Sequence, residues 1–306
     1  MKIDSKMKVY SKEDFIRVRD FLKRTYSYFQ RPYNWTIERW NFSISMARII
    51  NGVSLDEWES QIALWEQDQE IMGVVNTEGE AAGEAFFQIA HEFLSEDLLQ
   101  EMFAFCEARL GKKENSKRVI YLRIPHGNQR LEQLALTRGY IRQPKNEPVA
   151  ELELDRVFPV ELPSGFTFKY GDQVTHLDKS KAHALAFGYF DKSLYRERSP
   201  IGYQHMSETP DYRPDLDIYL ISPLNEIAAF ATMWYDQHNR IGILEPVGTI
   251  PAYRRMGLGR ASIMQLVTQV QQAGGFKVYV GSGQDFYLRL GFRARELYSV
   301  WVKEVE

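Results

Sequence analysis

Apolar positions recur along this chain at two different periods, and the switches between the periods mark out its elements. Phe15, Val18, Phe21 and Leu22 fall on one face of a helix over residues 11–24, and a second helical pattern runs over residues 36–50. Strand-like runs follow at 61–66, 70–76 and 84–89. After them come a helix at 95–110, a strand at 119–124 and a helix at 128–138 that Gly139-Tyr140 stops. The order then begins again. Phe166-Thr167-Phe168-Lys169-Tyr170 opens a strand, residues 179–190 are helical with Ala182, Leu185 and Ala186 on one face, and residues 195–215 read as a long charged connection. Three strands are predicted at 217–222, 227–235 and 241–249. Ile263, Leu266, Val267 and Val270 recur at helical spacing over residues 259–273, and Gly274-Gly275 ends that helix. A strand at 276–280, a short helix at 284–290 before Gly291 and a last strand at 297–305 complete the chain.

Both halves thus share one order of strands and helices, and the two short helices end alike, at Arg138-Gly139-Tyr140 and Leu290-Gly291-Phe292. The pattern predicts a diverged tandem repeat of one α/β (α+β) fold. Between the copies, Pro159, Pro163 and Gly165 favour an extended connector, which sets the expected domains at 1–157 and 158–306.

A chain of 306 residues, 44% of them hydrophobic, has enough material for two cores. The formal charge of -3, with acids and bases interspersed, points to neither nucleic acid nor an anionic membrane. One cysteine, Cys106, fits a reducing compartment. Residues 1–10 lack an apolar leader core, and no apolar run reaches the roughly 20 residues of a membrane span, so a cytoplasmic protein is expected. The six histidines show no metal-ligand spacing, and no metal is expected.

The segment with chemical content runs from Glu245 to Ala261. It is a strand, a proline-containing turn, then the basic glycine loop Arg254-Arg255-Met256-Gly257-Leu258-Gly259-Arg260-Ala261 leading into an amphipathic helix. A helix start with unpaired N–H groups and a positive dipole end holds anions. Glycines let phosphate oxygens approach the backbone, and arginines add charge-assisted bonds. The loop lacks the Gly-Lys-Ser/Thr of a nucleotide-triphosphate loop, and Ser262 stands where a dinucleotide fingerprint has its third Gly or Ala.

Arg254-x-x-Gly257-x-Gly259 instead resembles the acyl-CoA pyrophosphate loop of the GNAT acetyltransferase superfamily. Phe286-Tyr287-Leu288-Arg289-Leu290-Gly291-Phe292, one helix and one strand later, is similar to a signature near the end of such domains. The resemblance implies two tandem GNAT-like domains, each a mixed, mostly antiparallel twisted sheet flanked by helices with splayed central parallel strands. It implies N-acetyl transfer from acetyl-CoA to a primary amine of a small molecule or peptide. The backbone of Val247, Gly248 and Thr249 would line the pantetheine arm, and residues 254–261 would hold the pyrophosphate. Tyr287 takes the position of the family's general acid. Glu245 is a candidate base, placed by strand alternation on one face with Val247 and Thr249, and the terminal carboxylate of Glu306 is an alternative. Because an ammonium has no lone pair and an alkylamine has a pKa near ~10, the reaction needs such a base or a desolvating site.

The matching helix start in the first half, Ala90-His91-Glu92-Phe93-Leu94-Ser95-Glu96-Asp97, has no glycine, no arginine and three acids, which repel phosphate. That half resembles a degenerate copy without a cofactor loop. Its aromatics, Tyr26, Tyr28, Tyr33, Trp35, Trp40, Trp58 and Trp65, suit a hydrophobic core or, less often, a cation cradle. A non-catalytic acyl-CoA-binding sensor or scaffold is the rival reading. The acceptor amine and the oligomeric state have no signature in the sequence.

Overall fold

The strands, in chain order, are β1 (Lys6–Val9), β2 (Ala63–Gln67), β3 (Glu70–Asn76), β4 (Glu84–Ile89), β5 (Lys112–Glu114), β6 (Lys117–Pro125), β7 (Ile141–Glu153), β8 (Thr167–Tyr170), β9 (Asp217–Ile221), β10 (Ile227–Asp236), β11 (Ile241–Thr249), β12 (Lys277–Val280) and β13 (Arg293–Val305). The helices are α1 (Phe15–Phe29), α2 (Ile37–Phe42), α3 (Arg48–Asn51), α4 (Leu55–Ser60), α5 (Glu96–Arg109), α6 (Gln129–Thr137), α7 (His176–Phe187), α8 (Ser193–Ser207), α9 (Leu258–Gln272) and α10 (Asp285–Arg289). The computed structural model describes residues 6–114 and 116–305. The chain divides into unit 1 (Met1–Arg48, Val53–Pro148 and Glu296–Glu306) and unit 2 (Ile49–Gly52 and Val149–Arg295).

In unit 1 the strands run β1-β2-β3-β4-β6-β13, antiparallel except for the parallel pair β4–β6. α5 packs on one face, where Leu98, Leu99, Met102, Phe103 and Cys106 meet Phe87, Ile120, Leu122, Ile124 and Trp301. Tyr10, Val18, Phe21, Trp35, Trp40, Trp58 and Tyr298 form a second core. Of the seven aromatics Tyr26, Tyr28, Tyr33, Trp35, Trp40, Trp58 and Trp65, only Tyr28 is largely exposed; the other six are buried as packing.

Unit 2 repeats the order as β8-β9-β10-β11-β12, with residues 150–153 of β7 as the last strand; β11–β12 is its parallel pair. Neighbours on β10 face opposite ways. Ala231 and Met233 join Ile263, Leu266, Val267 and Val270 of α9, whereas Phe230 packs with Ala182 and Ala186 of α7. Each unit thus takes its final strand from the far part of the chain: β13 closes unit 1 on β6, and β7 closes unit 2 on β12.

Residues 195–215, read as a connection, are a helix over most of their length. Tyr195, Ser199, Tyr203 and Met206 form a buried stripe at helical spacing. Arg196, Glu197 and Arg198 and the internal Pro200, which removes one backbone donor, masked that periodicity. The ring of His183 on α7 lies among Phe187, Tyr189, Tyr195, Tyr203 and Phe230 and bonds the Tyr195 hydroxyl. Burial pulls its pKa down to about 3. A base depressed on folding binds more protons in the unfolded chain, so stability is full above the unfolded value of about 6.5 and is lost as pH falls toward 3. Replacing His183 by Phe is expected to move the acid-unfolding midpoint to lower pH, read by circular dichroism. An unmoved midpoint would contradict this assignment.

Candidate acyl-CoA and amine site

Pro251–Tyr253 form one 3-10 turn after β11, and the chain then reverses through Arg255 and Gly257, both with positive φ (67° and 81°). Gly257 is the N-cap of α9 and provides no side-chain cap. Helix geometry leaves the N–H groups of Leu258, Gly259 and Arg260 without intrahelical partners, whereas Ala261 N–H already donates to the Gly257 carbonyl at 3.0 Å. A Cβ on Gly257 would meet nothing within 4 Å, so glycine is needed there for its φ and for the open space above it. A Cβ on Gly259 would lie 3.2 Å from the Phe286 ring and 3.3 Å from Thr249 Oγ1. The first turn of α9 is therefore pressed against the end of β11 and the start of α10. Nothing in the glycine spacing marked Phe286 for this place; its pairing with Tyr287 in the later motif was the only signal.

The arginines divide. Arg254 donates from Nε to the Thr249 carbonyl at 3.2 Å and from Nη2 to the Ala186 carbonyl at 2.8 Å, so its side chain ties the loop to the end of α7. Arg255 is exposed and Arg260 half-buried. Met256 is exposed, whereas Leu258 and Ala261 turn into the core with Phe166, Leu220, Ala228 and Ala229. Gly248 serves α7 rather than the loop: a Cβ there would strike Phe230 and lie 3.0 Å from Ala186.

On β11 the alternation assumed from the sequence fails. Ala231 and Met233 of β10, two apart, pair with Val247 and Leu244, three apart. The extra residue is a bulge at Glu245-Pro246, so Leu244 rather than Glu245 shares a face with Val247. The Glu245 carbonyl accepts from Trp234 Nε1 at 2.9 Å, which pins the bulge. β11 pairs with β12 from Ile241 to Leu244 and runs on to Thr249, while β12 ends at Val280. The parallel strands therefore part where the bulge begins.

Tyr287, on α10, is buried beside Phe286 and Phe292. Burial, with the Glu245 carboxylate adding in the same direction, pushes its phenol up to about 12. The fold thus brings Tyr287 and Glu245 within electrostatic reach of each other and keeps the phenol protonated at neutral pH. Glu306 lies outside the described residues. Among the described residues no cluster of three or more His, Cys, Asp or Glu is set to hold a metal, and no helix is long and apolar enough to cross a membrane.

The model of the acetyltransferase (GNAT) family matches residues 184–292, a span that contains β11, the loop, α9 and α10. Residues 184–292 are a GNAT domain. Around this GNAT domain, two solved structures match the fold of nearly the whole chain. A GCN5-related N-acetyltransferase from Sphaerobacter thermophilus superposes with a TM-score of 0.61 at 15% identity, covering 98% of this chain and 95% of its own. A tandem GNAT protein from the clavulanic acid biosynthesis pathway gives 0.64 at 10% identity, covering 98% of each. The fold is the tandem GNAT fold, a mixed α/β architecture. In sequence, the chain is 42% identical over 59 residues to glucosamine 6-phosphate N-acetyltransferase of Trypanosoma brucei brucei. That match takes in 18% of this chain and spans 40% of the relative's length.

Proposed function

We propose that unit 2 transfers acetyl from acetyl-CoA to a primary amine of a small molecule or peptide, and that unit 1 is a companion copy without a cofactor loop. The observation that carries the reading is the uncapped start of α9 beside a β11 that has parted from β12, with a buried, protonated Tyr287 within electrostatic reach of Glu245. The N–H groups of residues 255–260 and the dipole of a fifteen-residue helix suit pyrophosphate, with Arg255 and Arg260 adding charge. The backbone of Val247 and Thr249 faces the gap and suits an amide-bearing arm. The GNAT family match and the amine-sugar acetyltransferase relative support the same chemistry.

Acetyl-CoA supplies an activated thioester. Glu245 attracts the acceptor ammonium and takes one proton from it, which frees the lone pair. The neutral amine then forms the C–N bond at the thioester carbonyl, and the second proton that the nitrogen loses as the tetrahedral adduct collapses restores the Tyr287 phenol. Tyr287 Oη gives its proton to the departing sulfur as the C–S bond breaks. A phenol with a pKa near 12 is a weak acid, but the burial that raises it also disfavours a naked thiolate, so donor and acceptor are brought closer in strength.

Tyr287→Phe tests this. Loss of a positioned acid is expected to lower kcat by about 10²–10⁴-fold. The Kd for acetyl-CoA should stay within about twofold, because the ring packing is retained. Unchanged turnover would remove Tyr287 as the donor. Acetyl-CoA binding with no turnover on any amine, in wild-type protein, would favour a sensor over an enzyme.

A further inference from the structure

The gap between the parallel strands of unit 1 is filled by the chain itself. β4 and β11 end in the same way: Ala90 N–H donates to the Met72 carbonyl at 2.9 Å, and Ile250 N–H donates to the Ala228 carbonyl at 3.0 Å. Backbone groups on a strand alternate sides, so Ile89 and Thr249 each turn theirs the other way, toward the parallel partner. In unit 1 that partner, β6, pairs with β4 only at Glu84, Ala85 and Phe86, and Ile89 lies beyond the pairing. Ile89 and Thr249 are therefore equivalent positions.

What Ile89 meets is Asn34. The Asn34 carboxamide donates to the Ile89 carbonyl at 2.8 Å and accepts from Ile89 N–H at 2.9 Å. The next residue, Trp35, donates its N–H to Gln88 Oε1 at 2.8 Å. The preceding one, Tyr33, shares a buried cluster with Ile89 of β4, with Ile124 of β6 and with Leu131 of α6, the helix that follows β6. Tyr33 and Asn34, each 4% exposed, thus bridge both lips of the gap. The helix start beside it is closed as well. Ser95 caps α5 by accepting from Leu98 N–H, and Glu96 and Asp97 occupy the first turn.

We propose that Tyr33-Asn34 is an internal stand-in for the pantetheine arm, which closes unit 1 to acyl-CoA and leaves the chain one cofactor site. A primary carboxamide offers one donor edge and one acceptor, the same pair that a pantetheine amide presents to a strand. The proposal rests on the acetyl-CoA reading of unit 2, and its test separates the two.

The measurement is amide hydrogen exchange resolved at Ile89 and Thr249, with calorimetric titration of acetyl-CoA into the full chain. Wild-type protein is expected to bind at one site per chain, with exchange slowed at Thr249 and unchanged at Ile89. Asn34→Ala is expected to speed Ile89 exchange at least about tenfold while the α5 amide of Met102 stays protected, which also reports that the unit remains folded. A second acetyl-CoA site, slowing at Ile89 on addition of acetyl-CoA, or unaltered Ile89 exchange in Asn34→Ala would overturn the proposal. If acetyl-CoA changes nothing in wild type, the cofactor reading of unit 2 fails, and the Asn34 exchange result decides by itself whether the gap is filled as described.

Discussion

Gly257→Glu is expected to weaken acetyl-CoA binding by at least about a hundredfold, close to 2.7 kcal/mol. Two costs add. A residue with a Cβ at φ 81° carries roughly 1–2 kcal/mol of strain. A carboxylate near 4 Å from pyrophosphate adds repulsion on the order of 4 kcal/mol at an effective dielectric of about 20. Gly257→Ala separates the terms, because a methyl there meets nothing within 4 Å; only the strain remains, worth about tenfold in affinity. Calorimetry on the two variants checks this. Equal losses in both would mean that charge plays no part and that the loop does not hold an anion.

Lys179→Ala should destabilise unit 2 by about 3–5 kcal/mol, the usual result of stranding one member of a buried ion pair. Lys179 Nζ lies 2.9 Å from Asp217 Oδ2 with side-chain exposures of 1% and 0%, and the same ammonium bonds the Tyr212 hydroxyl at 2.9 Å. Asp217 also accepts from Thr232 at 2.7 Å and Tyr212 at 2.7 Å. Removing the lysine leaves a carboxylate that no solvent reaches. Replacing both members, as Lys179→Met with Asp217→Asn, should recover most of the loss, since a matched neutral pair avoids the desolvation cost. Urea denaturation followed by tryptophan fluorescence reads both. A single variant within 1 kcal/mol of wild type would refute the account. Because the network binds α7 to β9 and β10, its loss should also loosen the end of α7 that Arg254 grips.

Much of this was legible in the residues. Ile263, Leu266, Val267 and Val270 announced α9, and the glycine-punctuated loop before it announced an anion-binding helix start. The order of elements was readable in both halves because each strand and helix buries one face and so repeats at its own period. Three features were not. Pro200 and the charged run before it concealed α8, since its buried stripe rests on Tyr195, Ser199, Tyr203 and Met206 rather than on aliphatic residues. The bulge at Glu245 cannot be read from alternation, because register depends on the partner strand. Asn34 acts across 55 positions of sequence on Ile89, and a single polar residue between two aromatics gives no local sign of a long-range bond.

The exchange of final strands also constrains how the molecule is made. Residues 149–295 contain every strand that unit 2 needs, whereas β6 of unit 1 receives its partner only from residues 298–305. A ribosome releases the chain from its N-terminus, so this edge of β6 stays unpaired until residues 298–305 have left the tunnel. Truncation near residue 295 would therefore leave the N-terminal unit, not the C-terminal one, incomplete.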